Sequence, residues 1–406
     1  MQNQSLGPTV RQAGRLYLLL LVLLLGGSVV LMPYLGIGGN LWVNELGYIL
    51  LPVLLLAWSQ RWQWREVFRL KPISGRLFFT CFAAGAVLWL FTAVLFSLLE
   101  SWTNQALGQF SMSTTSGSVS LSQALLFGFG VVVLAPICEE VFFRGFMQRA
   151  MEAYGGLSAY VITGVLFGAM HILNGMNNLL PATLLGLALG YLAYRTGSLW
   201  PSVALHMGTN LMSRFGVAIW PGLATGGVLP SWLFGLAALS ALVGLWLLRR
   251  IGRMHPVSDI PPRLGARKLT RSISLWLAAL LLLATLGSEV ALRAGWLDGY
   301  LVSATPDSSF SCAEFSDSLV ALSVDVAATD LGSQAEFSYE FDATEIDTVM
   351  MLQNPQGETV WSQDWKGSGL KVQSGNLSVP LTSAGTWKLL LRGEGKGLEM
   401  KVFWKP

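Results

Sequence analysis

The sequence predicts a polytopic bundle of membrane-spanning α-helices followed by an all-β domain. Three observations support this: only 12% of the 406 residues are charged, 53% are hydrophobic, and the charges are unevenly divided. Residues 297–406 hold 15 acidic and 7 basic side chains (net −8), whereas residues 1–296 hold 8 and 19 (net +11). Soluble domains average about 25% charged residues. The contrast in charge and hydropathy between the two regions therefore indicates two domains.

The first region contains nine apolar runs of a length suited to crossing a bilayer. The first eight form a helical core within residues 1–255, and the ninth is an extra transmembrane helix. The first run follows Arg11 and Arg15 and could alternatively be a secretory signal. The runs lie near 16–33, 45–58, 77–99, 121–138, 157–175, 178–194, 199–219, 231–249 and 273–292.

Lys and Arg residues cluster at the N-terminus, at 59–76 and at 249–271, whereas the predicted loops 34–44 and 101–120 have none. Because basic loops remain in the cytoplasm, this pattern predicts a cytoplasmic N-terminus. It also makes 256–272 a basic cytoplasmic linker, after which the ninth helix carries the acidic domain to the outer side. We expect an integral protein of a bacterial inner or plasma membrane.

Residues 297–406 consist of short segments in which apolar and polar side chains alternate. This texture predicts an antiparallel β-sandwich of about seven strands. The domain contains no histidine and a single cysteine, Cys312, so we expect a non-catalytic module that binds an unidentified ligand or presents a substrate. The alternative is a cap that only adds stability. The predicted strands are 318–327, 335–342, 348–354, 359–365, 370–381, 386–392 and 398–404.

Two adjacent acids, Glu139 and Glu140, follow the apolar run LLFGFGVVVLAPIC. A charged side chain at the centre of a bilayer costs about 2.5–3.5 kcal/mol on insertion scales, so two acids here need a partner or a function. Arg144 lies four residues after Glu140, and the two side chains can therefore pair on one helix face. Glu139 points roughly 100° away from that face. A purely structural ion pair would need only one acid.

Two of the three histidines, His171 and His206, also lie in apolar segments. Each has a partner at i,i+4 spacing: Phe167 precedes His171, and Asn210 follows His206. Each pattern alone is equally consistent with a hydrogen bond between helices. Together with the paired acids, these side chains are the types that activate water.

The spacing also predicts how these residues meet. A glycine pair, Gly155-Gly156, lies about midway between Glu139 and His171. An antiparallel helical hairpin folded at this pair would place the two side chains at the same level. His206 would then close the site from a further helix.

Three sequence motifs resemble those of the CAAX-protease and bacteriocin-processing (CPBP) family, also called the abortive-infection domain. They are APICEEVFFRGFMQ (135–148), GVLFGAMH (164–171) and GYLAYRTGSLWPSVALHMGTN (190–210). The family consists of intramembrane endopeptidases and includes the type II CAAX prenyl endopeptidases. The resemblance covers about residues 120–215.

The resemblance implies a role for each matching residue. Glu139 would be the general base that activates a water molecule, assisted by His171, with Phe167 supporting it. Glu140 and Arg144 would hold the helix and the neighbouring carboxylate in place.

On the same basis His206 and Asn210 would stabilise the oxyanion of the tetrahedral intermediate. A metalloprotease-like scheme is the alternative, in which Glu139, His171 and His206 bind zinc and leave a fourth position for water. We favour a site without a metal, because no paired HExxH-type spacing is present.

The sequence thus predicts an intramembrane endopeptidase that cuts membrane-associated peptides or proteins within the lipid bilayer, with no nucleic-acid partner. Two alternatives stay open. One is a non-catalytic immunity or scaffold protein of the same family. The other is a proton-coupled transporter, for which intramembrane Glu and His residues are equally natural.

Overall fold

A computed structural model describes residues 7–107, 121–220, 222–227, 229–255, 260, 273–293, 307–326 and 331–405. These residues divide into a helical unit that ends at Val290 and a β unit that begins at Ala291. The predicted fold class, a membrane helix bundle followed by an antiparallel β domain, is confirmed. Apart from Ile260, the predicted linker 256–272 lies outside the described residues.

In the described part of the helical unit we number the long helices in chain order. Two short helices, Trp64–Val67 and Gly222–Thr225, lie between long ones. The long helices are α1 (Val10–Gly27), α2 (Gly38–Ser59), α3 (Gly75–Leu107), α4 (Ala124–Tyr154), α5 (Gly156–Asn174), α6 (Met176–Thr196), α7 (Trp200–Ile219), α8 (Ser231–Met254) and α9 (Ile273–Ala291).

All of these helices except α7 are long and apolar enough to cross a membrane. The expected span at 199–219 is present as a 20-residue helix, but its polar side chains lower its hydropathy. Ser202, His206 and Thr209 are buried inside the bundle rather than exposed. Helix α7 therefore delivers polar groups to the interior of the unit, as expected for functional polar residues at membrane depth.

The predicted outer loop at 34–44 is largely wrong, because residues Ser28–Trp42 are helical apart from one break. The break is at Gly36, whose φ of +62° lies in the left-handed region that glycine adopts without strain. The turn between α1 and α2 is thus a single glycine kink within a helical stretch. Sequence reasoning took the small residues around it for a loop.

Helices α3 and α7 cross in direct backbone contact, which fixes the position of His206. A Cβ atom on Gly85 would lie 1.9 Å from the carbonyl oxygen of Leu205, and one on Gly208 would lie 2.1 Å from that of Phe82. Small residues at a crossing point let two membrane helices approach this closely. Leu205 and Gly208 lie within two residues of His206 in the chain, so the crossing fixes this stretch of α7 against α3.

At one end of the bundle, buried Arg69 ties the segment before α3 to three other elements. Its guanidinium forms an ion pair with Glu152 of α4 and donates a hydrogen bond to the carbonyl of Ala193 (3.2 Å). Its own carbonyl accepts from the amide of Leu199 (3.0 Å). Burial lowers the pKa of Arg69, and the adjacent Glu152 carboxylate opposes this shift. This cluster fixes the ends of α4, α6 and α7 relative to one another.

Helix α9 packs against the helical unit through Ala278 and Leu282, which are buried in the same core as the other helices. It is therefore part of the bundle, and from α9 the chain continues into the β unit.

The described part of the β unit contains four long strands rather than the predicted seven short ones. They pair antiparallel in a single sheet of order β1-β4-β2-β3. Six of the predicted strands merge in pairs, because the turn-like residues between them continue the hydrogen-bonded ladder. The strands are β1 (Asp307–Val326), β2 (Gln334–Gln353), β3 (Thr359–Pro380) and β4 (Gly385–Lys405).

This sheet folds over on itself. The ring of Trp361 lies 6.0 Å from that of Tyr339, although the register partner of Trp361 on β2 is Leu352, 13 residues further along. On β2 the buried side chains occupy odd positions over 335–343 and even positions over 346–352. The strand therefore bends between these halves, and both halves bury their side chains in one core. The two layers of a sandwich are built here from one folded sheet.

The glycine crossing gives a testable prediction. Gly85→Val should lower the thermal unfolding midpoint of the purified protein in detergent, because its side chain meets the backbone of α7; overpacking of this kind costs about 1–3 kcal/mol. The matched control is Gly235→Val on α8, where a Cβ atom meets nothing within 4 Å. Equal midpoints for the two variants would contradict the close approach of α3 and α7.

Candidate active site

The paired acids lie near the middle of α4, between two widened turns. Hydrogen bonds of i→i+5 type occur over Gly130–Leu134 and Val141–Met147, and regular α-helix over Ala135–Glu140 lies between them. Pro136 has no amide hydrogen, so the helix before it loses one regular bond. Widened turns of this type are frequent at functional sites. Here the two widened turns change the direction in which Glu139 and Glu140 point relative to the neighbouring turns of α4.

Glu140 and Arg144 form the expected ion pair, and both side chains are fully buried. Arg144 Nη1 lies 3.0 Å from Glu140 Oε1, and Arg144 Nη2 donates to the carbonyl of Gly186 on α6 (3.0 Å). One turn later Gln148 donates to the carbonyl of Gly190 (3.0 Å), a contact that the sequence analysis did not predict. The pair therefore also joins α4 to α6.

His206 lies between the two acids. Its Nδ1 is 3.1 Å from Glu140 Oε1, and its Nε2 is 3.9 Å from Glu139 Oε2. Glu140 is ionised in its pair with Arg144 and can only accept, so Nδ1 of His206 donates the hydrogen bond. A neutral His206 then has a bare Nε2, and only the protonated ring offers a donor at this nitrogen.

His171 is held by the backbone of its own helix. Its Nδ1 donates to the carbonyl of Phe167 (2.8 Å), which leaves Nε2 as the basic nitrogen. The ring of Phe167 lies 4.5 Å from that of His171 and 5.7 Å from that of His206. The guanidinium carbon of Arg144 lies 4.5 Å from the centroid of the same ring. Phe167 thus packs among both imidazoles and the cation, a larger part than the supporting one expected.

Asn210 joins α7 to the first widened turn of α4. Its Nδ2 donates to the carbonyl of Val131 (2.9 Å). One of its two amide hydrogens is therefore already engaged, and the second is available to another acceptor. The structure thus brings Asn210 to the same region of α4 that precedes the acids, with half of its donor capacity in use.

The sequence analysis assigned no role to Glu45, which lies on α2 next to the site. Only 4% of it is exposed, and its carboxyl interacts electrostatically with Glu139 and Cys138. Its Oε2 makes no hydrogen bond to any residue that the structure describes, and the same holds for Oε2 of Glu139. The signal that could have found it is an acid within an expected membrane span, at 45–58.

Counted together, three carboxyl groups surround one guanidinium and two imidazoles. Carboxyl and imidazole groups are the side chains that most often act as general acids and bases. A site of this composition can accept and release protons during a reaction.

The zinc alternative would use Glu139, His171 and His206. Among the residues that the structure describes, no group of three His, Cys, Asp or Glu side chains is arranged to hold a metal ion. His206 directs Nδ1 to Glu140 and keeps Nε2 at 3.9 Å from Glu139, and His171 directs Nδ1 to a carbonyl. Each histidine therefore uses Nδ1 for its hydrogen bond and leaves Nε2 for the chemistry of the site.

The fold and the site define an integral membrane protein with a buried site of acids and imidazoles. Residues 121–212 match the family described as type II CAAX prenyl endopeptidase Rce1-like. The match confirms the resemblance to the CPBP family and falls within the expected range 120–215. It also supports a function of the intramembrane protease type. No curated protein matches the chain.

Removal of the buried Arg144 guanidinium should lower the stability of the protein. We expect Arg144→Leu to destabilise the protein by about 3–5 kcal/mol, because it leaves the Glu140 charge buried without its partner. The double variant Glu140→Leu/Arg144→Leu should recover much of this loss. Unfolding midpoints in detergent measure both effects.

The matched control for that comparison is Arg149→Leu on the same helix. Arg149 also pairs with an acid, Glu152, but its side chain is 42% exposed, and exposed pairs contribute little. A loss as large for Arg149→Leu as for Arg144→Leu would show that burial of the pair is not the cause.

Proposed function

We propose that the protein is an intramembrane endopeptidase that hydrolyses peptide bonds of membrane-associated peptides or proteins. The match to a peptidase family supports the reaction class. The observation that carries the proposal is the convergence of Glu139, His171 and His206 beside the Glu140–Arg144 pair, within helices of membrane length.

In the proposed reaction Glu139 is the general base. Its Oε2 has no hydrogen-bond partner among the described residues, so it can accept a proton from a water molecule. Nε2 of His171 is the second basic atom and can orient the same water. The hydroxide equivalent attacks the scissile carbonyl carbon, and the proton passes to the leaving amine nitrogen as the carbon–nitrogen bond breaks.

Stabilisation of the oxyanion falls to His206 and Asn210. When its ring is protonated, the Nε2–H of His206 is a charged donor beside Glu139. The amide hydrogen of Asn210 that is not bound to Val131 is the second donor. Donors aimed at a developing oxyanion contribute about 2.7–4 kcal/mol each in other hydrolases.

Glu140 and Arg144 take no part in bond breaking in this proposal. Glu140 fixes the ring orientation of His206, and Arg144 fixes Glu140 and the backbone of α6. This assignment separates the two acids by role: one is anchored by a cation, and the other is free to exchange protons.

The positive-inside pattern supports a cytoplasmic N-terminus and an extracytoplasmic β unit. With that orientation, we propose that the bound substrate is cut within the bilayer and that the β unit binds an envelope ligand or substrate. The β unit lies outside the matched range 121–212, so its proposed role does not come from the family match.

The general base should be indispensable. We expect Glu139→Gln and His171→Ala to lower kcat by about 10²–10⁴-fold, the usual contribution of acid–base catalysis, while the unfolding midpoint changes little. The control is Glu66→Gln, an exposed acid on the short helix Trp64–Val67. Cells with wild-type protein should show a new peptide terminus that is absent with Glu139→Gln.

Reconstitution separates this proposal from the two alternatives. A purified protein in liposomes that moves a solute or protons without peptide hydrolysis would be a transporter. A protein that protects or assembles its partner equally well with Glu139→Gln would be a scaffold. Either result would overturn the endopeptidase.

A separate experiment tests whether the proposed hydrolysis requires zinc. Incubation with a zinc chelator should change peptide hydrolysis by less than about twofold, because the proposed chemistry uses carboxyl, imidazole and amide groups alone. Loss of activity on chelation, restored by added zinc, would show that the site binds a metal.

A further inference from the structure

The segment 171–178 connects α5 to α6 and begins with His171. It consists of two short helical turns, His171–Asn174 and Met176–Asn178, separated by Gly175 with φ of +109°. The hydrogen bonds within the segment are local: the amide of Gly175 donates to Ile172, and the side chain of Asn178 donates to the carbonyls of Asn174 and Gly175. They do not fix the segment against the rest of the bundle, so the position of the backbone that follows His171 depends on contacts with other helices.

One of these contacts comes from α9. Oε2 of Glu289 accepts a hydrogen bond of 2.6 Å from the backbone amide of Met176, and its Oε1 lies 3.9 Å from the place of a Cβ atom on Gly175. Only 8% of Glu289 is exposed. The acceptor is a buried carboxylate at the N-terminus of α6, where the helix dipole favours negative charge.

The second contact comes from α3. Nδ2 of Asn177 donates to Oε2 of Glu100 (2.7 Å), and Oγ1 of Thr103 donates to Oδ1 of Asn177 (2.9 Å). Asn177 and Thr103 are both buried. The segment is thus held from two sides, by α3 at Asn177 and by α9 at Met176.

We propose that Glu289 is a positioning residue for His171, and that through it the last membrane helix sets the activity of the site. The proposal rests on the proposed endopeptidase function. Helix α9 lies outside the family match at 121–212, and the chain continues from it into the β unit. A displacement of α9 by a ligand of the β unit would release Met176 and reorient His171.

The experiment compares variants of the full-length protein in detergent or nanodiscs. Glu289→Ala removes the acceptor, and kcat should fall about tenfold, the effect of losing roughly 1.4 kcal/mol, while KM stays within about twofold. Glu289→Gln keeps an oxygen that can accept from Met176, and it should retain at least about half of the wild-type kcat. The matched control is Ser288→Ala, an exposed neighbour on α9 that should behave as wild type.

A second variant removes the donor instead of the acceptor. Met176→Pro lacks the amide hydrogen, and proline is tolerated at the first position of a helix. It should reproduce the loss seen with Glu289→Ala, and the two changes together should add no further loss. In a His171→Ala background Glu289→Ala should also have no further effect on residual activity, because its effect passes through His171.

Hydrogen exchange over 171–178 gives a readout that does not need catalysis. We expect exchange there to be at least about fivefold faster in Glu289→Ala, with Glu289→Gln and Ser288→Ala like wild type. Unchanged exchange, or a further loss of activity in the His171→Ala background, would overturn the proposal. Exchange could be faster in Glu289→Ala than in wild type even though the wild-type protein cleaves nothing. This outcome would support the contact and overturn the endopeptidase function alone.

Discussion

The buried ion pair between Glu140 and Arg144 is the interaction on which the site depends. A charge in this environment is tolerated only when it is paired, and here one oxygen of Glu140 faces both Arg144 and His206. The guanidinium reaches the backbone of α6 and the face of Phe167. One cation therefore joins α4, α5 and α6, whereas Oε2 of the second acid, Glu139, makes no hydrogen bond to any described residue.

Much of the helical unit could be predicted from the sequence, because long apolar runs and positively charged loops follow directly from the properties of the bilayer. The i,i+4 pairing of Glu140 with Arg144 was equally local. The contacts that escaped prediction are long-range. Glu45 reaches the site from α2, and Glu289 of α9 contacts the segment that follows His171. Contacts between residues so far apart in the chain leave no local sequence pattern.

The β unit shows the opposite limit. Alternation correctly indicated an antiparallel domain, and turn-like residues such as the glycines near 367 and 393 suggested separate strands. The hydrogen-bonded ladder runs through these positions as bends and bulges instead. A bend within a strand and the end of a strand look alike in sequence. Both contain small residues, and at both the alternation of buried and exposed side chains is interrupted. Only pairing partners distinguish them.

The folded sheet has a consequence for how the β unit forms. Strand β2 supplies residues to both faces of one core, as the contact of Tyr339 with Trp361 illustrates. Neither layer can form alone, because each long strand that bends runs from one layer directly into the other. A slip of pairing by one residue would turn both halves inside out together. Such a domain is expected to gain or lose its structure in one cooperative step.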